Sequence, residues 1–109
     1  MKNPILLSYQ RDKSAKEFLE LISGLSLEKF DHWAVSNSTI ADLGSGSVVV
    51  VLGHSVRKFL DLPEMSLILP YTDMNGVMWR FLPYPSGRTQ TYNDPIFRAA
   101  VRLMLQELT

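Results

Sequence analysis

The fold is decided by the stretch Val48-Val49-Val50-Val51-Leu52, which is followed by Gly53 and His54. Five apolar residues in a row, four of them β-branched, favour a strand that is buried on both faces. Strands of this kind lie at the centre of parallel sheets, which carry helices on both sides. The stretch therefore predicts an α/β fold built around this strand.

Outward from this strand, helical and extended patterns alternate along the chain. The predicted elements before the central strand are a strand at Pro4 to Ser8, a helix from the capping pair Ser14 and Glu17 to Gly24, and a strand at Asp31 to Asn37. After it come a helix at Ser55 to Leu60 with Val56, Phe59 and Leu60 facing inward, and a hairpin in which Ser66 to Leu69 pairs with Val77 to Leu82 around the Asn75-Gly76 turn. The last element is a helix that opens at Asp94 and Pro95. This order predicts a single domain, a three-layer α/β/α sandwich with a small, mostly parallel central sheet. The connection from Asn37 to Val48 is short for a crossover, so either the crossover is reduced or those two strands pair differently.

Length and composition exclude several classes of function. The 109 residues suffice for one domain, and eleven basic residues balance eleven acidic ones, so any contact with nucleic acid must come from a local cluster. The chain has no cysteine, which excludes disulfides and zinc–cysteine sites and suits the reducing cytoplasm. No apolar run approaches the length of a membrane span, and His32 has no partner histidine and, apart from Asp31, no carboxylate at metal spacing. We therefore expect no membrane span, no metal and no cofactor.

The densest group of candidate site residues is the stretch Leu82-Pro83-Tyr84-Pro85-Ser86-Gly87-Arg88-Thr89. Two prolines and a glycine end the preceding strand, and open α/β folds bind ligands at such strand ends. The hydroxyls of Ser86 and Thr89 can bond a phosphate, and Arg88 can pair with one bidentately. Gly87 would let a ligand approach the backbone closely. The alternative is that this stretch is a stiff connector that binds no ligand. This alternative stays open because Pro-Ser-Gly is common in turns.

Further candidates are expected at the same edge of the sheet. Asn37 closes the second predicted strand, and its amide matches the Watson–Crick edge of a flipped pyrimidine, although turn asparagines are common. Gly53 and His54 stand where a strand meets a helix, which is either a backbone anion site or an ordinary helix start. Gln10 and Asp12 follow the first strand. The Asp12 carboxylate is either a catalytic general base or a helix cap.

The order of these features resembles the uracil-DNA glycosylase superfamily, especially its small phage and bacterial members. The similarity covers most of Asn37 to Leu108, and its most specific part, Leu82 to Pro95, leads from a Pro-Ser-Gly loop through Asn-Asp-Pro into a helix. Such proteins have an α/β/α fold and excise a base that they flip out of DNA into a pocket. The family's first motif, a loop with glycine and proline, is not recognisable in Ser8-Tyr9-Gln10-Arg11-Asp12, where Asp12 or Gln10 would have to direct water.

The resemblance implies roles for individual residues. Asn37 would read the edge of the base, and Tyr84, in the place that histidine often holds, would stabilise or position the departing base. Ser86 would contact a backbone phosphate, and the stretch from Gly87 to Thr89 would enter the duplex. The resemblance thus implies a DNA glycosylase for uracil or a modified pyrimidine. The alternatives are an inactive module of the same fold that binds a base, a nucleotide, DNA or a protein partner, and an unrelated small α/β domain.

Overall fold

The computed structural model describes residues 3–10, 13–35, 43–65 and 69–108. Its elements are β1 (Ile5–Ser8), α1 (Lys13–Ser23), β2 (Asp31–Ala34), β3 (Val48–Leu52), α2 (His54–Phe59), β4 (Tyr71–Thr72), β5 (Met78–Leu82), a 3-10 turn (Gln90–Asn93) and α3 (Pro95–Leu108). The strands form one sheet in the order β2-β1-β3-β5-β4, in which only the short β4 is antiparallel to its neighbour. The predicted α/β fold with a mostly parallel sheet is confirmed.

The position of β1 between β2 and β3 determines where a ligand can bind. Leu7 is in register with Trp33 of β2 on one side and with Val51 of β3 on the other. The short connection from β2 to β3 thus joins strands that do not pair with each other, because each pairs with β1. The chain is wound in opposite directions from β1, and the β1/β3 boundary is the topological switch point where such sheets leave a crevice.

Two apolar layers cover the sheet. On one face, Leu6, Val50 and Leu82 are buried against α1 and α3. On the other face, Val51 and Trp79 are buried in a second cluster, whose other buried members are Ile5, Leu7, Val49, Val56, Val77 and Phe81. Among the partly buried residues that pack against this cluster are Trp33, Leu60 and Leu62. The central strand β3 is therefore buried on both sides, as its run of valines predicts.

The β4–β5 hairpin is held by one carboxylate. The Asp73 carboxylate accepts hydrogen bonds from the backbone N–H groups of Asn75 and Val77, at 2.9 and 3.0 Å, and from the Trp79 indole at 3.0 Å. Burial acts to raise the pKa of Asp73, but these hydrogen bonds and one from Gly76 hold it below its ordinary value. The hairpin turn was predicted correctly.

Within the described residues, the first arm of that hairpin is Tyr71–Thr72, because the carboxylate-tied turn brings Thr72 opposite Met78. The predicted arm was wrong at Leu69, which lies before this strand. Residues 66–68 lie outside the described residues.

The ends of the long helices follow local rules. The Asp94 carboxylate accepts a hydrogen bond from the Ile96 N–H at 2.9 Å, and Pro95 is the first residue of α3, as predicted. The helix α1 ends before Gly24, which has φ of +68°, but it already includes Ser14, so Ser14 lies in its first turn and not before it. In the described part of the chain, no helix has the length and hydropathy to cross a bilayer.

Candidate ligand-binding cleft

An open cleft of about 840 Å³ lies at the carboxyl ends of β1, β3 and β5. Its described lining consists of Tyr9, Leu52, Gly53, His54, Ser55, Val56, Pro83, Tyr84, Thr89 and Thr91. Tyr9 follows β1, Gly53 and His54 follow β3, and Tyr84 follows β5. This edge includes the switch point between β1 and β3. The fold thus brings together four residues that the sequence singled out, Gly53, His54, Tyr84 and Thr89, and adds Tyr9, which the sequence analysis missed.

The loop from Pro83 to Thr89 keeps its shape through its own hydrogen bonds. The Thr89 hydroxyl donates to the Tyr84 carbonyl at 2.8 Å, and the Thr89 N–H donates to the Ser86 carbonyl at 3.1 Å. The Ser86 hydroxyl in turn accepts the Arg88 N–H at 3.3 Å. The single proton of the Thr89 hydroxyl is therefore used inside the loop, and the predicted contacts of this loop with phosphate stay a prediction.

The buried side chain of Tyr92 supports this loop from below. Its ring packs edge-to-face between Phe18 and Phe97, with ring centroids 5.4 and 5.2 Å away, and its hydroxyl donates to the Pro83 carbonyl. Burial raises the pKa of Tyr92 well above the ordinary value of a phenol. The sequence analysis missed this anchor, because only its position between the loop and Asn93-Asp94-Pro95 marks it.

Gly53 brings the ends of β3 and β5 together. Its backbone φ of +99° is a conformation that residues other than glycine rarely adopt. A Cβ at this position would lie 3.4 Å from the Cβ of Tyr84. Its N–H donates to the Leu82 carbonyl at 2.8 Å, so this group belongs to the sheet and is not a donor for the anion site considered at the strand end.

Aromatic rings surround the mouth of the cleft. The His54 ring lies 4.8 Å from the ring of Phe81, and Tyr84 is 40% exposed. Tyr9 meets Phe59 edge-to-face, with ring centroids 6.4 Å apart. The prediction that Phe59 faces inward was wrong, since α2 is only six residues long and its one buried residue is Val56.

The other predicted site residues have different positions. Asp12 and Asn37 lie outside the described residues, so their roles stay predictions. Gln10 is exposed and outside the described lining of the cleft, and its carbonyl accepts a hydrogen bond from the Ser8 hydroxyl. Ser86 is half-buried, and Gly87 and Arg88 are exposed beside the cleft without lining it.

A second cleft, of about 360 Å³, lies next to α1. It is lined by charged side chains and one imidazole: Lys13, Lys16, Glu17, Glu20, Glu28 and His32. Behind it the buried Ser8 hydroxyl lies 2.8 Å from Nε2 of His32. Because this hydroxyl donates to the Gln10 carbonyl, the His32 Nε2–H is the donor to Ser8. No local sequence signal predicts this pair, which the parallel register of β1 and β2 creates.

The two clefts differ in electrostatic character, and neither contains a recognisable metal centre. The described lining of the larger cleft includes neither a carboxylate nor an ammonium group. Across residues 3–10, 13–35, 43–65 and 69–108, no group of three or more His, Asp or Glu side chains is arranged to hold a metal ion. The larger cleft is thus suited to an uncharged planar group that stacks and forms hydrogen bonds.

Comparisons of the chain with protein-family models, with curated proteins and with solved structures found no match.

Proposed function

We propose that this protein is a cytoplasmic, DNA glycosylase-like enzyme that binds a flipped uracil or modified pyrimidine in the larger cleft and hydrolyses its N-glycosidic bond. The observation that carries the proposal is the convergence of Tyr9, His54 and Tyr84, from the ends of three parallel strands, on one cleft. Two of these three residues were expected at the site on sequence grounds alone.

The size and lining of the cleft support a nucleobase as the ligand. A volume of about 840 Å³ falls in the range of small-molecule sites, and an open cleft leaves room for the attached sugar. Leu52, Val56 and Pro83 supply apolar surface, while the aromatic rings supply faces on which a base stacks. An uncharged lining favours a neutral heterocycle over a free phosphate.

The chemistry requires stabilisation of a departing anion. When the bond from the sugar C1′ to the base nitrogen breaks, its electron pair stays on the base. Among the donors in the lining of the cleft, the Tyr84 hydroxyl and the His54 imidazole are the two that we assign to that anion. Water then adds to C1′ and transfers a proton to a general base, for which the Asp12 carboxylate is the candidate. Asn37 reads the Watson–Crick edge and so selects the pyrimidine.

One observation favours a second candidate, a module that binds a base, a nucleotide or DNA without turnover. Within the part of the cleft that the structure describes, no carboxylate is present to accept the proton of water. The Thr89 hydroxyl proton is also used inside the loop and does not reach a ligand. If this second candidate is correct, Tyr84 and His54 contribute only to ligand binding and not to catalysis.

A base-release assay distinguishes the two candidates. The protein is incubated with single- and double-stranded oligonucleotides that contain uracil, mismatched thymine or a modified pyrimidine, and free base is measured by mass spectrometry. The enzyme hypothesis expects release that falls at least about 100-fold in Tyr84→Phe, the usual effect of losing one anion-stabilising donor. Release should also fall strongly in Asn37→Ala, which removes the amide that reads the edge of the base. Tyr71→Phe, at an exposed tyrosine on β4, serves as the matched control and should leave the rate unchanged.

The outcomes are separable. Release that is undiminished in both variants would contradict the roles given to Asn37 and Tyr84. Saturable binding of the same oligonucleotides without any release, weakened in Tyr84→Phe, would support the binding module. The absence of both binding and release across the whole panel would refute the proposed function.

A further inference from the structure

Two aromatic side chains form an exposed corner beside the cleft. Tyr9 is 56% exposed and Phe59 is 52% exposed, and their rings stand at 89° to each other. Neither belongs to the two apolar clusters on the faces of the sheet. A pair of large apolar rings that does not contribute to the core is an exposed contact surface. Since Tyr9 also lines the cleft, the corner and the cleft share one wall.

The geometry of this corner suits one planar ring. A base stacked on the face of one aromatic ring presents its edge to the other, because the two rings are perpendicular. Stacking of this kind tolerates any base, since every base has a π-face. The corner therefore fits a base that is bound by stacking, without recognition of which base it is.

The charges near the corner are complementary to a nucleic acid backbone. The last turn of α2 contains Arg57 and Lys58 immediately before Phe59, and Lys58 is exposed. Arg88 is exposed on the loop that forms the opposite wall of the cleft. The next acidic residue after Phe59 is Asp61, which follows the end of the helix. A strand that extends from the cleft to the corner would thus have cations near its phosphates.

We propose that Tyr9 and Phe59 stack the nucleotide next to the one in the cleft, so that the preferred ligand is single-stranded DNA. The inference rests on the proposed function, because it needs a base in the cleft. A neighbouring base in a duplex is already paired and stacked within the helix, and it costs a few kcal/mol to take it out. A neighbour in a single strand is free to enter the corner, and the aromatic pair therefore selects against duplex.

The experiment compares a ligand that fills only the cleft with one that also reaches the corner. The probes are 2′-deoxyuridine, the trinucleotide thymidine–deoxyuridine–thymidine with 2′-fluoro sugars that resist hydrolysis, a single-stranded 15-mer and its duplex. Affinities are measured for the wild type, Phe59→Ala, Phe59→Leu and Tyr84→Ala. Leu21→Ala removes a more exposed apolar side chain, 79% exposed, from α1 on the far side of the sheet and is the control.

We expect Phe59→Ala to weaken binding of the trinucleotide and the single-stranded 15-mer about 10-fold, the usual loss for one stacked base, with deoxyuridine binding unchanged. Phe59→Leu should lose most of the same affinity, because it keeps apolar surface but not the aromatic face. Leu21→Ala should change nothing. The wild type should bind the single strand more tightly than the duplex. Unfolding midpoints of all variants confirm that they are folded.

Two results would overturn the inference while base binding stands. One is an equal change for deoxyuridine and the trinucleotide in Phe59→Ala, and the other is tighter binding of the duplex than of the single strand. A different result, in which Tyr84→Ala leaves the affinity for deoxyuridine and for every oligonucleotide unchanged, would refute the proposed function of the cleft and the inference with it.

Discussion

One cleft of this molecule is lined by ionised side chains and the other by aromatic rings. The smaller cleft has two lysines and three glutamates, hence one net negative charge when His32 is neutral. Some of those charges hold local structure: the Lys16 ammonium donates to the Phe30 carbonyl at 3.1 Å, and a Glu20 carboxylate oxygen accepts the Leu27 N–H at 2.9 Å. These contacts tie α1 to the segment that leads into β2.

The larger cleft is different in each of these respects. Its aromatic groups stand at strand ends, and it contains Gly53, whose backbone conformation is strained for other residues. A cluster of charges that nearly cancel, two of which support a loop, needs no ligand to explain it. Converging rings beside a strained glycine are harder to explain by stability alone, and this is why the function is assigned to the less charged cleft.

The largest effect should come from substitution at Gly53. We expect Gly53→Ala to lower the free energy of unfolding by up to about 3 kcal/mol, because alanine is strained at φ of +99°. Gly87→Ala is the matched control, since Gly87 has no positive φ and a Cβ there meets open space. It should change stability by less than about 0.5 kcal/mol. Urea denaturation measures both, and equal losses in the two variants would show that the constraint at Gly53 is absent.

A smaller effect is expected beneath the loop. Tyr92→Phe should cost about 1 to 2 kcal/mol, because the Pro83 carbonyl loses its buried donor. The pKa of Tyr92 is raised in the folded state, so its stabilising contribution is complete below about pH 10 and is lost as the pH rises further. Unfolding by urea at pH 8 and pH 11 should therefore show a smaller alkaline loss in Tyr92→Phe than in the wild type. Tyr71→Phe, at an exposed ring, should keep the wild-type pH dependence; a parallel curve for Tyr92→Phe would contradict this explanation.

What could be predicted from the sequence depends on whether the rule is local. The valine run of β3, the proline after the Asp94 cap and the Asn-Gly turn each specify structure within a few residues, and all three were correct. The loop at Tyr84 was also placed correctly, because prolines end strands wherever they occur. Local rules thus predicted the central strand, the hairpin turn, the start of the last helix and one wall of the cleft.

The missed features depend on residues far apart in the chain. Ser8 and His32 meet only because β1 and β2 are parallel in one particular register. Tyr9 lines the cleft because β1 lies beside β3. Phe59 is exposed because it is the last residue of the short helix α2. None of these facts is encoded in a spacing or a motif. The non-local partners of a short strand decide them, and a single sequence does not determine those partners.

The smallest effect, and the most direct challenge to the comparison, concerns the charged cleft. Lys13→Gln and Glu17→Gln each alter an exposed charge, so each should change the free energy of unfolding by less than about 0.5 kcal/mol. If the aromatic cleft is the site for DNA, Arg88→Gln should weaken oligonucleotide binding more than Lys13→Gln does, and added salt should reduce that difference. The reverse order in a binding titration at low salt would mean that the charged cleft holds the backbone. The aromatic rings would then be a surface without a ligand, and Lys13 and Lys16 would hold the phosphate despite the net negative charge of the smaller cleft.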